Sequence, residues 1–276
     1  MIKKENYTIA GAGGRLMLAD LTYDDATPRA PLIIFAHGFN GFKDWGAYNL
    51  MADYFAQQGF RFLKFNFSHN GTTPDQPVDY ADLIAYSDNT FSIELDDLGR
   101  IIDFACNGTA FPRAQSVTLM GHSMGAGISI IKAAEDKRVV NLITMAAMAG
   151  FRNLWPAEDE AQWRLQGIHY FLNGRTGIKM PVKSSLLDDL DRNPVRLNIA
   201  LKAAEIDIPW LLVHGDTDII IPVNHAHLLK AAQPAAELLV IKKADHVFNA
   251  THPYPQKILT NELQQFCDEA VRFLRN

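Results

Sequence analysis

Cysteine is nearly missing from this 276-residue chain: only Cys106 and Cys267 occur, in neither a C-x-x-C pair nor a zinc-ligand spacing. That rules out a disulfide framework and any cysteine-built metal site, and it suits a reducing compartment. Basic charge is also short. Twenty-six Lys and Arg stand against 31 Asp and Glu, a formal net charge of −5. The basic residues are scattered, so no polyanion-binding signature exists and nucleic acid is not expected as a partner. No apolar run approaches the roughly 20 residues of a membrane span. The opening Met1-Ile2-Lys3-Lys4-Glu5-Asn6-Tyr7 lacks the apolar core of about 7–15 residues that a signal peptide needs. The expectation is a cytoplasmic protein without a membrane partner. Repeats and low-complexity tracts are absent too. No G-x-x-x-x-G-K-[ST] follows the cluster Gly11-Ala12-Gly13-Gly14, which reads as a hairpin turn rather than a phosphate loop.

What is present is a large apolar fraction, 48% of residues, enough for a substantial core. Leu32-Ile33-Ile34-Phe35-Ala36 is apolar throughout, as a strand covered on both faces should be. From there strand-like and helix-like patterns alternate. Helices are expected near 48–58, 93–105, 124–135, 224–232 and 258–273. Strands are expected near 60–67, 116–120, 139–145, 210–213 and 238–241. That alternation means βαβ units and a mostly parallel sheet flanked by helices. One stretch breaks the rhythm. Between Phe151 and Asp207 lie Trp155, Trp163, Tyr170, Phe171, Met180 and Leu186 among charged residues and loop signals. It is too long for a plain connection. We read residues 1–150 and 208–276 as an α/β core, and 151–207 as a small, mainly helical cap inserted before the penultimate core strand.

The most informative segment is Ser116-Val117-Thr118-Leu119-Met120-Gly121-His122-Ser123-Met124-Gly125-Ala126-Gly127. A β-branched, apolar run enters a G-x-S-x-G pentapeptide and leaves it in a helical pattern, the context of a nucleophile elbow. The glycines leave room for a tight, strained turn. Ser123 would stand at the carboxyl end of a strand, with the Met124 amide at a helix start. A serine hydroxyl needs a base, and the base needs an orienting acid. Of nine histidines, His246 follows the last expected strand on the same sheet edge and is the candidate base. His214 closes a strand and reads as structural, and His122 is expected to point away from the serine. His225 and His227, two apart, cannot face one another on a helix, so no metal site is expected there. His69 lies in a long loop, His169 in the cap, and His252 beside Pro253. Asp216 and Asp218, in His214-Gly215-Asp216-Thr217-Asp218-Ile219-Ile220-Ile221-Pro222, both qualify as the acid.

The order serine, aspartate, histidine along these motifs resembles the α/β-hydrolase superfamily. The resemblance implies that Asp218 is the triad acid and Asp216 a turn residue. It also implies that Phe39, after His37-Gly38, shares the oxyanion with Met124. His37 would be structural. The stretch His37-Gly38-Phe39-Asn40-Gly41-Phe42-Lys43-Asp44-Trp45 is similar to bacterial carboxylesterases of the cinnamoyl/feruloyl type and to dipeptidyl- and acylaminoacyl-peptidase-related proteins. The implied activity is serine hydrolysis of short-chain or aryl esters, needing neither cofactor nor metal, with a small-molecule ester as partner. Amidase, peptidase and thioesterase activities share the same triad, and a non-catalytic binding protein of the fold is the reading from another class. Monomer and homodimer are both compatible with the fold.

Overall fold

The computed structural model describes residues 1–276. A hairpin of β1 (Ile2–Ala10) and β2 (Leu16–Asp24) opens the chain. It is followed by β3 (Leu32–Ala36), α1 (Tyr48–Gln57), β4 (Arg61–Phe65), α2 (Leu83–Asp88), α3 (Phe91–Asn107), β5 (Val117–His122), α4 (Met124–Glu135) and β6 (Val139–Met145). An excursion holds α5 (Asp159–Gln166), β7 (Ile168–Leu172), β8 (Lys179–Lys183), α6 (Ser185–Arg192) and α7 (Ile199–Ala204). The core resumes with β9 (Trp210–Gly215), α8 (Asn224–Ala232), β10 (Glu237–Ile241) and α9 (Asn261–Arg275).

Eight strands form one sheet in the order β1-β2-β4-β3-β5-β6-β9-β10, parallel from β4 to β10. The alternation of side chains along a strand divides each central strand between two cores. Leu32, Ile34 and Ala36 join the larger core with α3, α4 and α7 on one face. Ile33 and Phe35 join the smaller one with α1 and α9 on the other. Trp210 and Leu212 part from Leu211 and Val213 in the same way. All five residues of β3 are buried, as a doubly covered strand requires. The closing helix α9 shows the opposite pattern: Leu263, Phe266, Cys267, Ala270 and Val271 are buried at helical spacing, and Thr260 caps the first turn through the Leu263 N–H.

The strand order reverses between β3, which continues to β4, and β5, which continues to β6. The carboxyl ends of β3 and β5 therefore flank the crevice in which doubly wound sheets place their sites. The helices expected over the 151–207 excursion are present. The excursion also carries an antiparallel β7–β8 hairpin that the sequence reading did not anticipate. Its indoles and rings, Trp155, Trp163, His169 and Phe171, pack on one another edge to face and tilted. No helix of the chain is long and apolar enough to cross a membrane.

Candidate active site

The turn between β5 and α4 is built around backbone contacts that tolerate no side chain. A Cβ on Gly121 would lie 2.4 Å from the Gly125 carbonyl oxygen, and one on Gly125 would lie 2.3 Å from that of His37. Helix α4 thus presses directly against the ends of β5 and β3. Ser123 sits at the apex with φ 56° and ψ −119°, a conformation that side-chain-bearing residues rarely adopt. Its N–H donates to the Met145 carbonyl on β6 at 2.9 Å, which fixes the apex to the neighbouring strand.

Three loops meet at this apex. From the one after β10, His246 Nε2 lies 3.0 Å from Ser123 Oγ, and its Nδ1 lies 2.8 Å from Asp218 Oδ2, on the loop after β9. An ionised carboxylate can only accept, so Nδ1 carries the proton and Nε2 is left as acceptor for the serine hydroxyl. The other Asp218 oxygen, Oδ1, accepts the Ile220 and Ile221 N–H groups at 2.9 and 2.8 Å. Burial pushes the Asp218 carboxyl up. Hydrogen bonds from His214 and His246 and the Ile221 amide outweigh it and hold the group well below the usual carboxylate range. Asp216, the other candidate, accepts the Lys243 N–H at 2.6 Å and joins the two loops without reaching His246.

The loop after β3 closes the third side. Phe39 and Met124, the expected oxyanion donors, have backbone N–H groups that hydrogen-bond to nothing else in the protein. His37 is buried and structural: its Nδ1 donates to the Gly38 carbonyl at 2.9 Å, and Asn70 anchors the same loop through the Gly41 carbonyl at 3.2 Å. Burial lowers the His37 pKa to about 4, so the ring is neutral. Asn66 Oδ1 accepts the Lys43 N–H at 2.7 Å and fixes the far end of the loop.

His122 has a role that no sequence signal marked. Its Nε2 donates to the His246 backbone carbonyl at 2.8 Å, and the two rings stand 4.9 Å apart. Burial, then the neighbouring His246, lower its pKa to about 3. The contact spans 124 positions of sequence, and a backbone acceptor leaves no trace in composition or periodicity. His214 is structural as expected, donating to the Ile221 carbonyl at 2.7 Å, and it also stands 3.3 Å from Asp218. His225 and His252 accept the backbone N–H groups of Ala149 and Gly46. His69 pairs with Ser68 Oγ, and His169 packs in the excursion. None of these four is joined to the serine.

In front of Ser123 lies a cavity of about 220 Å³, walled by Phe39, Trp45, Tyr48, His246 and Val247 and roofed by Asn173, Gly174 and Arg175 from the β7–β8 turn. On the other side of Phe39 and Met124, Tyr86, Phe91, Val182 and Leu186 enclose a much smaller apolar space of about 10 Å³ with Asn89 at its edge. Behind it Asn89 Nδ2 donates to Glu94 Oε1 at 2.7 Å, while Glu94 Oε2 has no partner. Burial pushes the Glu94 pKa up to about 8.

Comparison with known proteins finds relatives with esterase and lipase names and solved structures of the same fold. A chain of Mycoplasma pneumoniae named an esterase/lipase is 23% identical over 87% of this chain and 90% of its own length. A monoacylglycerol lipase of Mycolicibacterium smegmatis is 24% identical over 82% and 83%. The solved structure of Est1E from Butyrivibrio proteoclasticus with ferulic acid bound superposes with a TM-score of 0.72 at 17% identity, covering 98% of both chains. A model of the alpha/beta hydrolase family matches residues 33–256, from β3 through the loop that carries His246. The chain belongs to that family.

Proposed function

We propose that the protein is a serine hydrolase that cleaves small carboxylic esters through an acyl-enzyme, with residues 151–207 serving as the cap of an α/β core formed by 1–150 and 208–276. The observation that carries the proposal is the unbroken relay of 3.0 Å and 2.8 Å from Ser123 through His246 to Asp218. The esterase and lipase names of its relatives support ester hydrolysis in general.

In this reading His246 Nε2 takes the hydroxyl proton as Ser123 Oγ attacks the ester carbonyl. The carbonyl oxygen becomes an oxyanion beside the free N–H groups of Phe39 and Met124, and each such donor is worth about 10²–10³ in rate. Asp218, ionised, stabilises the imidazolium. His246 returns the proton to the departing alkoxide, and water then hydrolyses the acyl-enzyme by the same sequence. A cavity of about 220 Å³ favours short acyl groups over long chains.

The test is hydrolysis of p-nitrophenyl esters from acetate to decanoate by the wild type and Ser123→Ala, with fluorophosphonate labelling alongside. Turnover of the short esters that falls by about 10⁴ or more in the variant is the expected result. Turnover surviving in the variant would sink the assignment. Cleavage of an aminoacyl p-nitroanilide without ester turnover would replace it with a peptidase.

A further inference from the structure

The catalytic cavity contains one side chain of fixed charge, Arg175, and no carboxylate. Asp218 does not reach it, being screened by His246. Arg175 stands at the tip of the β7–β8 hairpin, where the buried Asn173 Oδ1 accepts the N–H groups of Arg175 and Thr176 at 3.1 Å each. The backbone of the tip is therefore held in place. The guanidinium lies over the rings of Phe42 at 5.7 Å and Tyr80 at 6.0 Å, and it forms no ion pair with any acidic residue. Aromatic faces attract a guanidinium without using its in-plane donors. The fork of N–H groups that matches a carboxylate bidentately is thus unspent by any acid of the chain. In a protein of net charge −5, an unpaired cation roofing a small cavity beside the nucleophile is a selective feature.

We propose that Arg175 determines specificity by binding a carboxylate on the substrate, so that the preferred esters carry an anionic group within a few bonds of the scissile carbonyl. The proposal rests on the ester-hydrolase reading above. One guanidinium with one net positive charge balances a carboxylate, whereas a phosphate dianion would stay half uncompensated. The small cavity sets the spacing: a carboxylate that reaches Arg175 while its ester sits at Ser123 belongs to a short half-ester, not a fatty acyl chain. Arg175 is exposed at the cavity mouth, so salt bridges and hydrogen bonds to it are screened by water and are worth roughly 3- to 10-fold in kcat/KM.

The experiment compares charged and neutral partners by pH-stat: monomethyl glutarate against dimethyl glutarate, and 4-acetoxybutanoate against its methyl ester. The two pairs place the carboxylate on the acyl and on the alcohol side. Wild type, Arg175→Gln, Arg175→Lys and Ser123→Ala are assayed together. The expected result is a wild-type preference for the charged member of at least one pair. The charged-to-neutral ratio should fall roughly 3- to 10-fold in Arg175→Gln, mostly through KM, with partial recovery in Arg175→Lys. Equal losses on both members, or a wild-type preference for the neutral esters in both pairs, would overturn the proposal while leaving the esterase intact. Better turnover of methyl 4-phosphonobutanoate than of monomethyl glutarate would overturn the choice of carboxylate. Failure of the wild type on every ester, with no difference from Ser123→Ala, would remove the ester-hydrolase reading and the proposal with it.

Discussion

Replacing Ser123 by glycine should make the protein more stable than replacing it by alanine, against the usual order of those two residues. Both variants lose Oγ and its hydrogen bond to His246, so that contribution cancels in the comparison. Alanine keeps the Cβ, and with it the cost of holding a side-chain-bearing residue at φ 56° and ψ −119°, on the order of 1–3 kcal/mol. Glycine removes that cost but adds unfolded-state entropy of about 0.4–1 kcal/mol. The difference favours glycine by roughly 0.5–2 kcal/mol. At about 2.1 cal/mol/K of unfolding entropy per residue, a chain of this length gains roughly 1–4 °C in Tm. Ser129 supplies the control. It lies inside α4 with ordinary helical neighbours, its Oγ on the Gly125 carbonyl at 2.8 Å, and there glycine should be worse than alanine by about 1 kcal/mol. Differential scanning calorimetry on the four variants reads both signs. A Ser123→Gly protein that melts at or below Ser123→Ala would refute the strain argument.

Asp218→Asn, which keeps an acceptor for the Ile220 and Ile221 amides but no longer fixes the His246 tautomer, should lower kcat on p-nitrophenyl acetate by about 10³–10⁴ with little change in Tm; a loss below tenfold would contradict its role. His122→Phe deprives the His246 carbonyl of its donor and should cost about 1–3 kcal/mol in urea unfolding, together with slower fluorophosphonate labelling of Ser123; unchanged labelling would show that the base does not depend on this bond. The folded-state pKa of Glu94 is raised to about 8, so its contribution is greatest below about pH 4.5 and is lost as pH rises towards 8. His37 and His122, depressed to about 4 and 3, act the other way, losing stability as pH falls below about 6.5. Glu94→Gln therefore removes an offset and should steepen the acid loss of stability between pH 6.5 and 5 by about 1.4 kcal/mol per pH unit, and an unaltered slope in pH-dependent urea unfolding would refute a protonated Glu94.

Much of this architecture is legible because its signals are local. The apolar run 32–36 and the G-x-S-x-G turn each lie within a few residues, and each reports the backbone geometry that its own residues impose. The residues alone leave Asp216 and Asp218 both open, and only the resemblance to α/β-hydrolases favours Asp218. What stayed hidden depends on register or on distant contacts. Lys64 reads as an odd charge in an apolar strand until β2 and β4 pair Asp20 directly opposite it, with the two charges 2.7 Å apart and fully buried. Glu94 looks like the polar side of an amphipathic helix, yet the packing around α3 closes over it. The hairpin that brings Arg175 over the site had a faint signal: two five-residue runs, Ile168–Leu172 and Lys179–Lys183, enclose a turn with Asn173, Gly174 and Gly177. Pro181 in the second run and the helical surroundings weakened it.

The histidines show why residue type alone could not assign the roles around the triad. Three loops must be held at the carboxyl edge of the sheet, and each is pinned by a buried imidazole donating to a backbone carbonyl. His37 holds Gly38, His122 holds His246, and His214 holds Ile221, at 2.9, 2.8 and 2.7 Å. A lysine or arginine could donate to the same carbonyls, but it would carry a permanent charge. Placed 4.9 Å from the His246 ring, as His122 is, such a charge would oppose the imidazolium that the proposed reaction forms. A neutral imidazole supplies rigidity and a directed N–H without that penalty. His37 and His122 stay neutral because burial disfavours their protonation, the same physics that removes them from consideration as a base. His246 differs in the partners of its ring: Nδ1 faces the Asp218 carboxylate and Nε2 faces the Ser123 hydroxyl, whereas the other three give a ring nitrogen to a backbone carbonyl. In the proposed mechanism one loop position thus serves as a proton acceptor that its sheet-edge neighbours, chemically identical in sequence, cannot become.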